Sequence, residues 1–244
     1  MGLVYQETFT MPFDLCDVKQ DAKLPLLLAY CLTVSGRQSA KLGRSDDYVL
    51  ENYNLVWIIT DYEVSIKRLP KFNETITIET EAISYNKFFC YRQFHIYDQE
   101  GNLLMDILTY FALMDPDTRK VASIPEDLVQ PYQSECVKKM RRAPKMRELE
   151  NPQVKTYHVR YFDIDMNGHV NNSKYLDWMY DVLSYDFLRH HRPRQLQLKY
   201  IKEVAPGDQD IESAFQLEGL TSYHHISSQG QINAQAIIDW EPID

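Results

Sequence analysis

Hydrophobic and polar residues follow two periods along the chain, and these periods succeed each other in the same order twice. In the first half, residues 4–11 alternate as a half-buried strand does, and residues 24–42 carry apolar side chains near the 3.6-residue spacing of a helix. Four runs rich in threonine, isoleucine, tyrosine and phenylalanine follow, which favours strands. These runs begin at Leu55, Glu74, Phe88 and Asp106.

The second half repeats this order. Residues 155–162 predict a strand, and residues 171–188 predict one helix with its apolar side chains on one face. Four further strand-like runs follow, at 195–204, 210–219, 221–228 and 231–240. Each half therefore predicts one helix packed on an antiparallel sheet, an α+β arrangement that buries both apolar faces. This arrangement resembles the hotdog fold, and we expect two copies of it in tandem.

Two local matches support a duplication. Phe13-Asp14 precedes the first helix as Phe162-Asp163 precedes the second, an offset of 162 − 13 = 149 residues. Pro70 and Pro206 occupy similar positions after a strand, with an offset of 206 − 70 = 136 residues. The difference of 149 − 136 = 13 residues predicts a longer loop in the first half, around residues 43–54.

The chain of 244 residues is long enough for two domains with a linker. Residues 134–152 are charged and lack an apolar stripe, which is typical of a segment crossing the surface. We therefore predict an N-terminal hotdog at 1–133, a charged linker at 134–152 and a C-terminal hotdog at 153–244.

The composition, 44% hydrophobic and 25% charged, is that of an ordinary globular protein. A net charge of −9 argues against a nucleic-acid partner, because phosphate binding needs a basic face. The first residues do not have the pattern expected of a signal peptide, and the longest near-apolar run, residues 24–34, is too short to span a bilayer. Four cysteines without a CxxC pair indicate reduced thiols, so we expect a cytoplasmic protein with no membrane span.

The stretch FDIDMNGHVNNSKY, which begins at Phe162, concentrates polar residues before the second helix. Its opening fits a calcium loop of the EF-hand type, but the twelfth position, which needs a glutamate, is Lys174. Zinc is disfavoured because the pairs His190-His191 and His224-His225 are sequence neighbours whose side chains diverge. The chain also lacks a G-x-S-x-G elbow and a P-loop. We therefore expect no metal and no cofactor.

A simpler interpretation is a polar turn that caps the helix. Asn167-Gly168 forms turns readily, and three residues are suitable N-caps. These are Asn171, Asn172 and Ser173. This interpretation does not explain why Asp165, Asn167 and His169 converge before the helix. The first half reads FDLCDVKQDAKLP at matching positions, without histidine or asparagine, so the fold does not require them.

The pattern D-x-N-x-H-V-N-N-x-x-Y resembles the signature of plant and bacterial acyl-acyl-carrier-protein (acyl-ACP) thioesterases. It is carried by Asp165, Asn167, His169, Val170, Asn171, Asn172 and Tyr175. The resemblance covers nearly the whole chain. It implies a tandem-hotdog enzyme that hydrolyses the thioester of fatty acyl-ACP and releases free fatty acid.

The resemblance also implies a catalytic carboxylate after the second helix, at Glu203, 34 residues beyond His169. Some members carry a cysteine directly after this glutamate, where this chain has Val204, and no cysteine follows Cys136. A cysteine nucleophile in the second half is therefore excluded. The implied chemistry is acid–base catalysis with water, or attack by the carboxylate itself.

We expect Glu203 to activate water, His169 to orient that water or share the proton, and Asp165 to hold His169. The Asn167 amide and backbone N–H groups at the helix N-terminus would donate to the thioester oxygen. Glu203, however, falls on the polar face of its predicted strand. Either a bulge redirects it, or the polar face is catalytic, at the seam between the hotdogs. Lys202 and Asp208 are the alternative polar groups.

The resemblance implies that the N-terminal hotdog holds the acyl chain. Candidate pocket residues are Leu26, Leu27, Tyr30, Trp57, Ile59, Phe88, Phe89 and Phe111, although plain core is the more common role for any single one of them. An acidic carrier protein would need a local basic surface for docking. The preferred cluster is Arg189, Arg192 and Arg194, and the alternative is Lys138, Lys139, Arg141, Arg142 and Lys145 in the linker.

Three other interpretations stay open. The chain could hydrolyse coenzyme A thioesters, act as a dehydratase on 3-hydroxyacyl chains, or bind acyl groups without catalysis. Chain length and saturation preference cannot be read from the sequence. Because a tandem chain already supplies one pair of hotdogs, both a monomer and a homodimer are compatible with it.

Overall fold

The structure, a computed structural model, describes residues 2–204, 207 and 210–243. The first half contains β1 (Val4–Thr10), α1 (Leu24–Lys41), α2 (Asp46–Tyr53), β2 (Val56–Ile66), β3 (Thr75–Tyr85), β4 (Phe89–Tyr97) and β5 (Leu103–Met114). Three short elements follow, β6 (Val121–Ala122), α3 (Glu126–Val129) and β7 (Glu135–Cys136). The second half contains β8 (Gln153–Tyr157), α4 (Asn172–Asp181), α5 (Tyr185–His190), β9 (His191–Tyr200), β10 (Ile211–Glu218), β11 (Thr221–Ser228) and β12 (Gln231–Pro242).

The strands form one sheet in which the two halves have the same order. The first half runs β1-β3-β4-β5-β2 and the second runs β8-β10-β11-β12-β9. The halves meet where β2 pairs with β9 in antiparallel register, with Tyr62 opposite Leu198. The predicted α+β tandem hotdog is therefore confirmed.

Each half buries a helix against its sheet. Strand β3 alternates strictly between buried and half-buried positions, as a strand covered on one face does. The buried face of α1 includes Leu27, Cys31 and Val34, and α4 buries Leu176 and Met179 in the same core. Among the described residues, the helices are too short or too polar to cross a bilayer.

The longer segment predicted around residues 43–54 exists, but its prediction as a loop is wrong, because α2 occupies most of it. The Ser45 hydroxyl accepts a hydrogen bond from the Tyr48 N–H at 3.2 Å and so begins the helix. Val49 is fully buried against Leu113 and Leu128. The insertion therefore adds a helix that packs against residues of β2 and β5 in the first half of the sheet.

The single helix predicted at 171–188 is also wrong, since α4 ends at Asp181 and α5 begins at Tyr185. The Ser184 hydroxyl accepts from the Phe187 N–H at 3.1 Å, which caps the second helix. The following strand, β9, begins at His191 and ends at Tyr200, so it does not extend to residue 204 as predicted.

The predicted linker has contacts with both halves. It begins with β7, which pairs in parallel with β3. Further along, the Arg141 N–H donates to the Tyr91 hydroxyl at 3.0 Å. Arg147 forms an ion pair with Glu218 and lies 3.8 Å from the ring centroid of Tyr223. The segment therefore follows the outer face of the sheet, while the domain boundaries given above stay a prediction.

Candidate active site

The polar stretch before α4 folds into a closed loop. Ile164 and Val170 pair across its base. The Asp165 N–H donates to the His169 carbonyl at 2.9 Å, and the Gly168 N–H donates to the Asp165 carbonyl at 3.0 Å. Gly168 has φ +78°, a left-handed conformation that favours glycine. The loop is thus held by its own backbone, directly before the helix.

The Asp165 carboxylate is used within this loop. Its Oδ1 accepts from the Asn167 N–H at 2.9 Å, an Asx turn. Within the described part of the chain, no hydrogen bond joins this carboxylate to the His169 ring, although the sequence predicts that Asp165 holds the imidazole. Asp165 acts on His169 in this structure only through the backbone hydrogen bond between the two residues.

Both asparagines that follow the loop have structural contacts. The Asn171 Oδ1 accepts from the Ser173 N–H at 3.0 Å and from the Ser173 hydroxyl at 2.7 Å, which makes Asn171 the N-cap of α4. The Asn172 carbonyl accepts from the Tyr200 hydroxyl at 2.9 Å. This bond ties the start of α4 to the end of β9.

His169 and Glu203 meet although 34 residues separate them in the sequence. The distance from His169 Nε2 to Glu203 Oε2 is 3.5 Å, with side-chain exposures of 35% and 37%. Such a half-exposed pair is accessible to water and to a substrate. The pair can exchange a proton between the carboxylate and the imidazole.

The backbone after β9, rather than strand alternation, directs Glu203. The Ile201 and Lys202 N–H groups both donate to the Asn233 carbonyl, at 2.8 and 3.1 Å, the two-against-one pattern of a bulge. The Asn233 side-chain amide donates in turn to the carbonyls of Lys202 and Glu203, at 3.2 and 3.5 Å. The Val204 N–H donates to the Tyr175 hydroxyl at 2.8 Å. The two N–H groups that share one carbonyl fit the first explanation left open by the sequence, a bulge that redirects Glu203.

Of Lys202 and Asp208, the two alternatives to Glu203, the structure describes Lys202. Lys202 lines the same cavity as Glu203, and its Nζ donates to the Gln231 side chain. Asp208 lies outside the described residues, as does Pro206, on which the sequence comparison of the halves relied.

A first-half residue that the sequence analysis missed also contacts Glu203. Arg119 Nη2 forms an ion pair with the same oxygen, Oε2, that faces His169. Arg119 follows β5 with φ +57°, in a turn where the Asp115 carboxylate accepts from the Asp117 and Thr118 N–H groups. The only sequence signal was this turn-forming stretch, which does not say where the arginine points.

A cavity of about 810 Å³ extends from this loop into the first half, between α1 and the sheet. Of the predicted pocket residues, Trp57, Ile59 and Phe111 line it. Leu26, Leu27, Tyr30, Phe88 and Phe89 do not line it. The cavity-facing side of α1 is Pro25, Leu28, Ala29, Leu32, Ser35, Gly36 and Ser39, a helical stripe that the predicted residues of α1 miss.

Of the five predicted residues that do not line the cavity, two pack elsewhere and a third is exposed to solvent. Tyr30 stacks on Phe9 with ring centroids 3.9 Å apart. Leu27 is 1% exposed and belongs to the core. Phe88 is 40% exposed.

Cys90 lines the cavity, where burial raises the pKa of its thiol to about 12. This thiol therefore stays protonated and is a poor nucleophile.

The first half contains a copy of the loop. Cys16 pairs with Ala22 as Ile164 pairs with Val170, so the offset is 164 − 16 = 148 residues. The predicted offset of 149 is wrong by one residue. Asp17 Oδ1 accepts from the Lys19 N–H at 2.8 Å, as Asp165 does from Asn167.

The copy separates residues that form the loop from residues that differ between the halves. Aspartate makes the same turn in both copies, so Asp165 fits a loop-forming role. Asn167 and His169 correspond to Lys19 and Asp21. Glu203 stands three residues after the end of β9, where the first half has Leu69 three residues after β2. Asn167, His169 and Glu203 are therefore particular to the second half.

Two family models match the chain at these elements. The acyl-ACP thioesterase N-terminal domain matches residues 2–132, and the acyl-ACP thioesterase C-terminal domain matches residues 146–242. The chain belongs to the acyl-ACP thioesterase family. The resemblance drawn from the polar stretch is therefore confirmed.

Solved structures of similar proteins agree with this fold. A Lactobacillus plantarum protein, provisionally described as an oleoyl thioesterase, is 31% identical, with a TM-score of 0.94 over 100% of this chain and 98% of its own. The 12:0-ACP thioesterase from Umbellularia californica is 18% identical, with a TM-score of 0.88 over 100% of this chain and 99% of its own. The second similarity concerns the fold alone.

Curated relatives are longer plant proteins. The chloroplastic oleoyl-acyl carrier protein thioesterase of Coriandrum sativum is 24% identical over 85% of this chain and 61% of its own length. The chloroplastic palmitoyl-acyl carrier protein thioesterase of Gossypium hirsutum is 23% identical over 95% of this chain and 58% of its own length. The chain thus spans less than two thirds of these two acyl-ACP thioesterases.

The two basic clusters of this acyl-ACP thioesterase family member differ in their contacts. Arg192 and Arg194 both form ion pairs with Glu241, and Arg189 donates to the Tyr185 hydroxyl at 3.2 Å. Lys138, Lys139, Arg141, Arg142 and Lys145 in the linker are exposed, and the described residues provide no carboxylate partner for them. The cluster after α4, which the sequence analysis preferred for docking, therefore carries less unpaired positive charge than the linker cluster.

Proposed function

We propose that this chain hydrolyses the thioester of fatty acyl-ACP and releases free fatty acid and the carrier protein, as a step of fatty acid biosynthesis. The observation that carries this proposal is the contact of 3.5 Å between His169 Nε2 and Glu203 Oε2 at one end of a cavity of about 810 Å³. Apolar side chains of the other half line that cavity. Membership of the acyl-ACP thioesterase family supports the same reaction.

The reaction would begin with water held between Glu203 and the thioester carbonyl. Glu203 takes a proton as the water oxygen attacks the carbonyl carbon, and His169 orients the water through its contact with the carboxylate. The Asn167 side-chain amide donates to the oxyanion that forms, and the partial positive charge at the N-terminus of α4 stabilises it further. The C–S bond then breaks, and the proton passes to the leaving thiolate.

Arg119 would position the base in this scheme. Its guanidinium contacts the oxygen of Glu203 that faces His169. A fixed positive charge there balances the carboxylate between turnovers and limits its rotation. Because Arg119 comes from the first half, the site would be assembled from both halves.

The test is thiol release from a panel of acyl-ACP esters by wild type and by Glu203→Ala, His169→Ala, Asn167→Ala and Asp165→Ala. We expect the first three changes to lower kcat strongly. Asp165→Ala should lower the free energy of unfolding as well as activity, because its carboxylate makes the turn. Full activity of the first three variants would refute the assignment.

The same panel separates the other interpretations. Faster turnover of the same acyl group on coenzyme A than on the carrier protein would indicate a coenzyme A thioesterase. Tight acyl binding without thiol release would indicate a binding protein, and loss of water from a 3-hydroxyacyl chain would indicate a dehydratase.

Docking of the carrier protein at the Arg189, Arg192 and Arg194 cluster predicts that charge reversal there raises KM. Reversal in the linker cluster is the matched comparison.

A further inference from the structure

The end of the cavity away from Glu203 contains a buried arginine. Arg92 lies on β4, lines the cavity and is 6% exposed. Ser39 and Tyr132 line the same region, and the Tyr132 hydroxyl donates to the Ser39 hydroxyl at 2.8 Å. A pocket for a purely hydrocarbon chain would not need such polar groups at its far end.

Only part of the Arg92 guanidinium has hydrogen-bond partners. Its Nη1 donates to the Gln38 side chain at 2.5 Å and to the Thr80 hydroxyl at 3.1 Å. Its Cζ lies 5.5 Å from the ring centroid of Tyr132. Over residues 2–204, 207 and 210–243, neither Nε nor Nη2 has an acceptor, and no carboxylate forms an ion pair with this arginine.

The charge of Arg92 persists despite burial. Desolvation lowers its pKa to about 10, which still leaves the group protonated at neutral pH. A buried charge without a counter-charge is unfavourable unless something else satisfies it. The two free nitrogen donors are therefore available to a ligand in the cavity.

The sheet register places Arg92 far from the proposed reaction centre. Arg92 pairs with Thr109, and Thr109 pairs with Tyr62. Tyr62 in turn pairs with Leu198 on β9, the strand that leads to Glu203. Arg92 on β4 therefore lies three strand spacings, ~14 Å, from Leu198 on β9, and Glu203 is five residues further along the chain. The wall between the two ends carries Ile59 and Phe111, which suit the apolar middle of an acyl chain.

We propose that Arg92 binds an oxygen atom at the far end of the acyl chain, so that the enzyme prefers chains ending in a hydroxyl or a carboxylate. This rests on the proposed function, because it concerns the acyl group of the same substrate. The guanidinium supplies the free donors, and the apolar wall accepts the methylene groups between the oxygen and the thioester. A plain chain of the same length would place a methyl group against the charge and leave those donors unpaired.

The test compares acyl-ACP esters of increasing length in three forms, with a methyl, a hydroxyl or a carboxyl terminus. At the length that reaches Arg92, we expect kcat/KM for at least one oxygen-terminated ester to exceed that of the plain ester by about ten-fold, the effect of one charge-assisted hydrogen bond. The hydroxyl and carboxyl esters show which oxygen is preferred. Arg92→Met should abolish the preference, and Arg92→Lys should retain part of it.

Arg68→Met is the matched control. Arg68 is an arginine outside the cavity, paired with Glu74 and Asp98. This change should leave the preference unaltered. If Arg92→Met does not fold, binding of free hydroxy, dicarboxylic and plain fatty acids to the wild type decides, with the same ten-fold difference expected.

Two results would overturn the proposal. One is a plain ester that is hydrolysed as well as the oxygen-terminated esters at every length. The other is a folded Arg92→Met variant with the preference of the wild type. Absence of thiol release from all esters would instead refute the proposed hydrolysis, and the fatty acid binding measurements would still test Arg92.

Discussion

Replacing Arg119 by glutamine tests whether the two halves share one active site. The change removes the positive charge beside Glu203 and keeps a polar side chain of similar length. The side chains of this ion pair are 39% and 37% exposed, so water screens the interaction. We therefore expect the free energy of unfolding to fall by less than ~1 kcal/mol, the usual range for exposed pairs.

Activity should respond more strongly than stability. The Glu203 carboxylate would lose the cation that fixes its Oε2 and, among the residues that the structure describes, would keep the contact with His169 alone. A base that samples several rotamers reacts more slowly, and we expect kcat to fall about ten-fold, or ~1.4 kcal/mol in activation free energy. Arg119→Lys should recover part of this loss, because it restores a charge without the planar fork.

The assay combines urea unfolding with steady-state thiol release. Arg68→Gln is the matched control, because Arg68 is 38% exposed and pairs with Glu74 away from the cavity. It should show a similar small loss of stability and unchanged kcat. An Arg119→Gln variant with wild-type kcat would refute the positioning role. A stability loss of several kcal/mol would show that the pair instead joins the halves structurally.

Three further changes test the stability of particular elements. Asn233→Leu should lower kcat and reduce the free energy of unfolding by ~1–3 kcal/mol, because the Glu203 segment loses its buried amide; steady-state kinetics and urea unfolding check this. Ser45→Ala should reduce the free energy of unfolding by ~1 kcal/mol, because it removes the cap of α2. Urea unfolding measures this change as well. Burial lowers the pKa of His224 to about 3 in the folded protein. As pH falls, the unfolded chain therefore binds a proton at this residue before the folded chain does. Stability should therefore fall as pH drops from ~6.5 towards 3, and His224→Gln should flatten that part of the unfolding profile.

The order of elements could be predicted because hydrophobic period is a local property. Residues 75–85 alternate along β3, and α1 carries its apolar stripe from Leu24 onwards. The N-cap signals at Ser45 and Ser184 are also local. They mark the start of α2 and the break between α4 and α5, which the hydrophobic period alone does not reveal.

The site was only partly predictable, for a different reason. The polar stretch gave His169 and its neighbours because they lie within a single loop, and Glu203 came from the family resemblance. Arg119 belongs to the first half, and the residues of its turn do not indicate which distant carboxylate the side chain contacts. The hydrophobic period alone does not identify the cavity-facing stripe of α1, because this helix is covered on two sides. Leu27 faces the core, and its neighbour Leu28 lines the cavity.

The pairing of β2 with β9 has a consequence for how the protein behaves on dilution. When two separate chains build one site, the fraction assembled depends on protein concentration. Here both walls belong to one polypeptide, so their association is intramolecular and has a fixed equilibrium. Specific activity should therefore stay constant as the enzyme is diluted. Cutting the connecting segment between the halves would make it concentration-dependent.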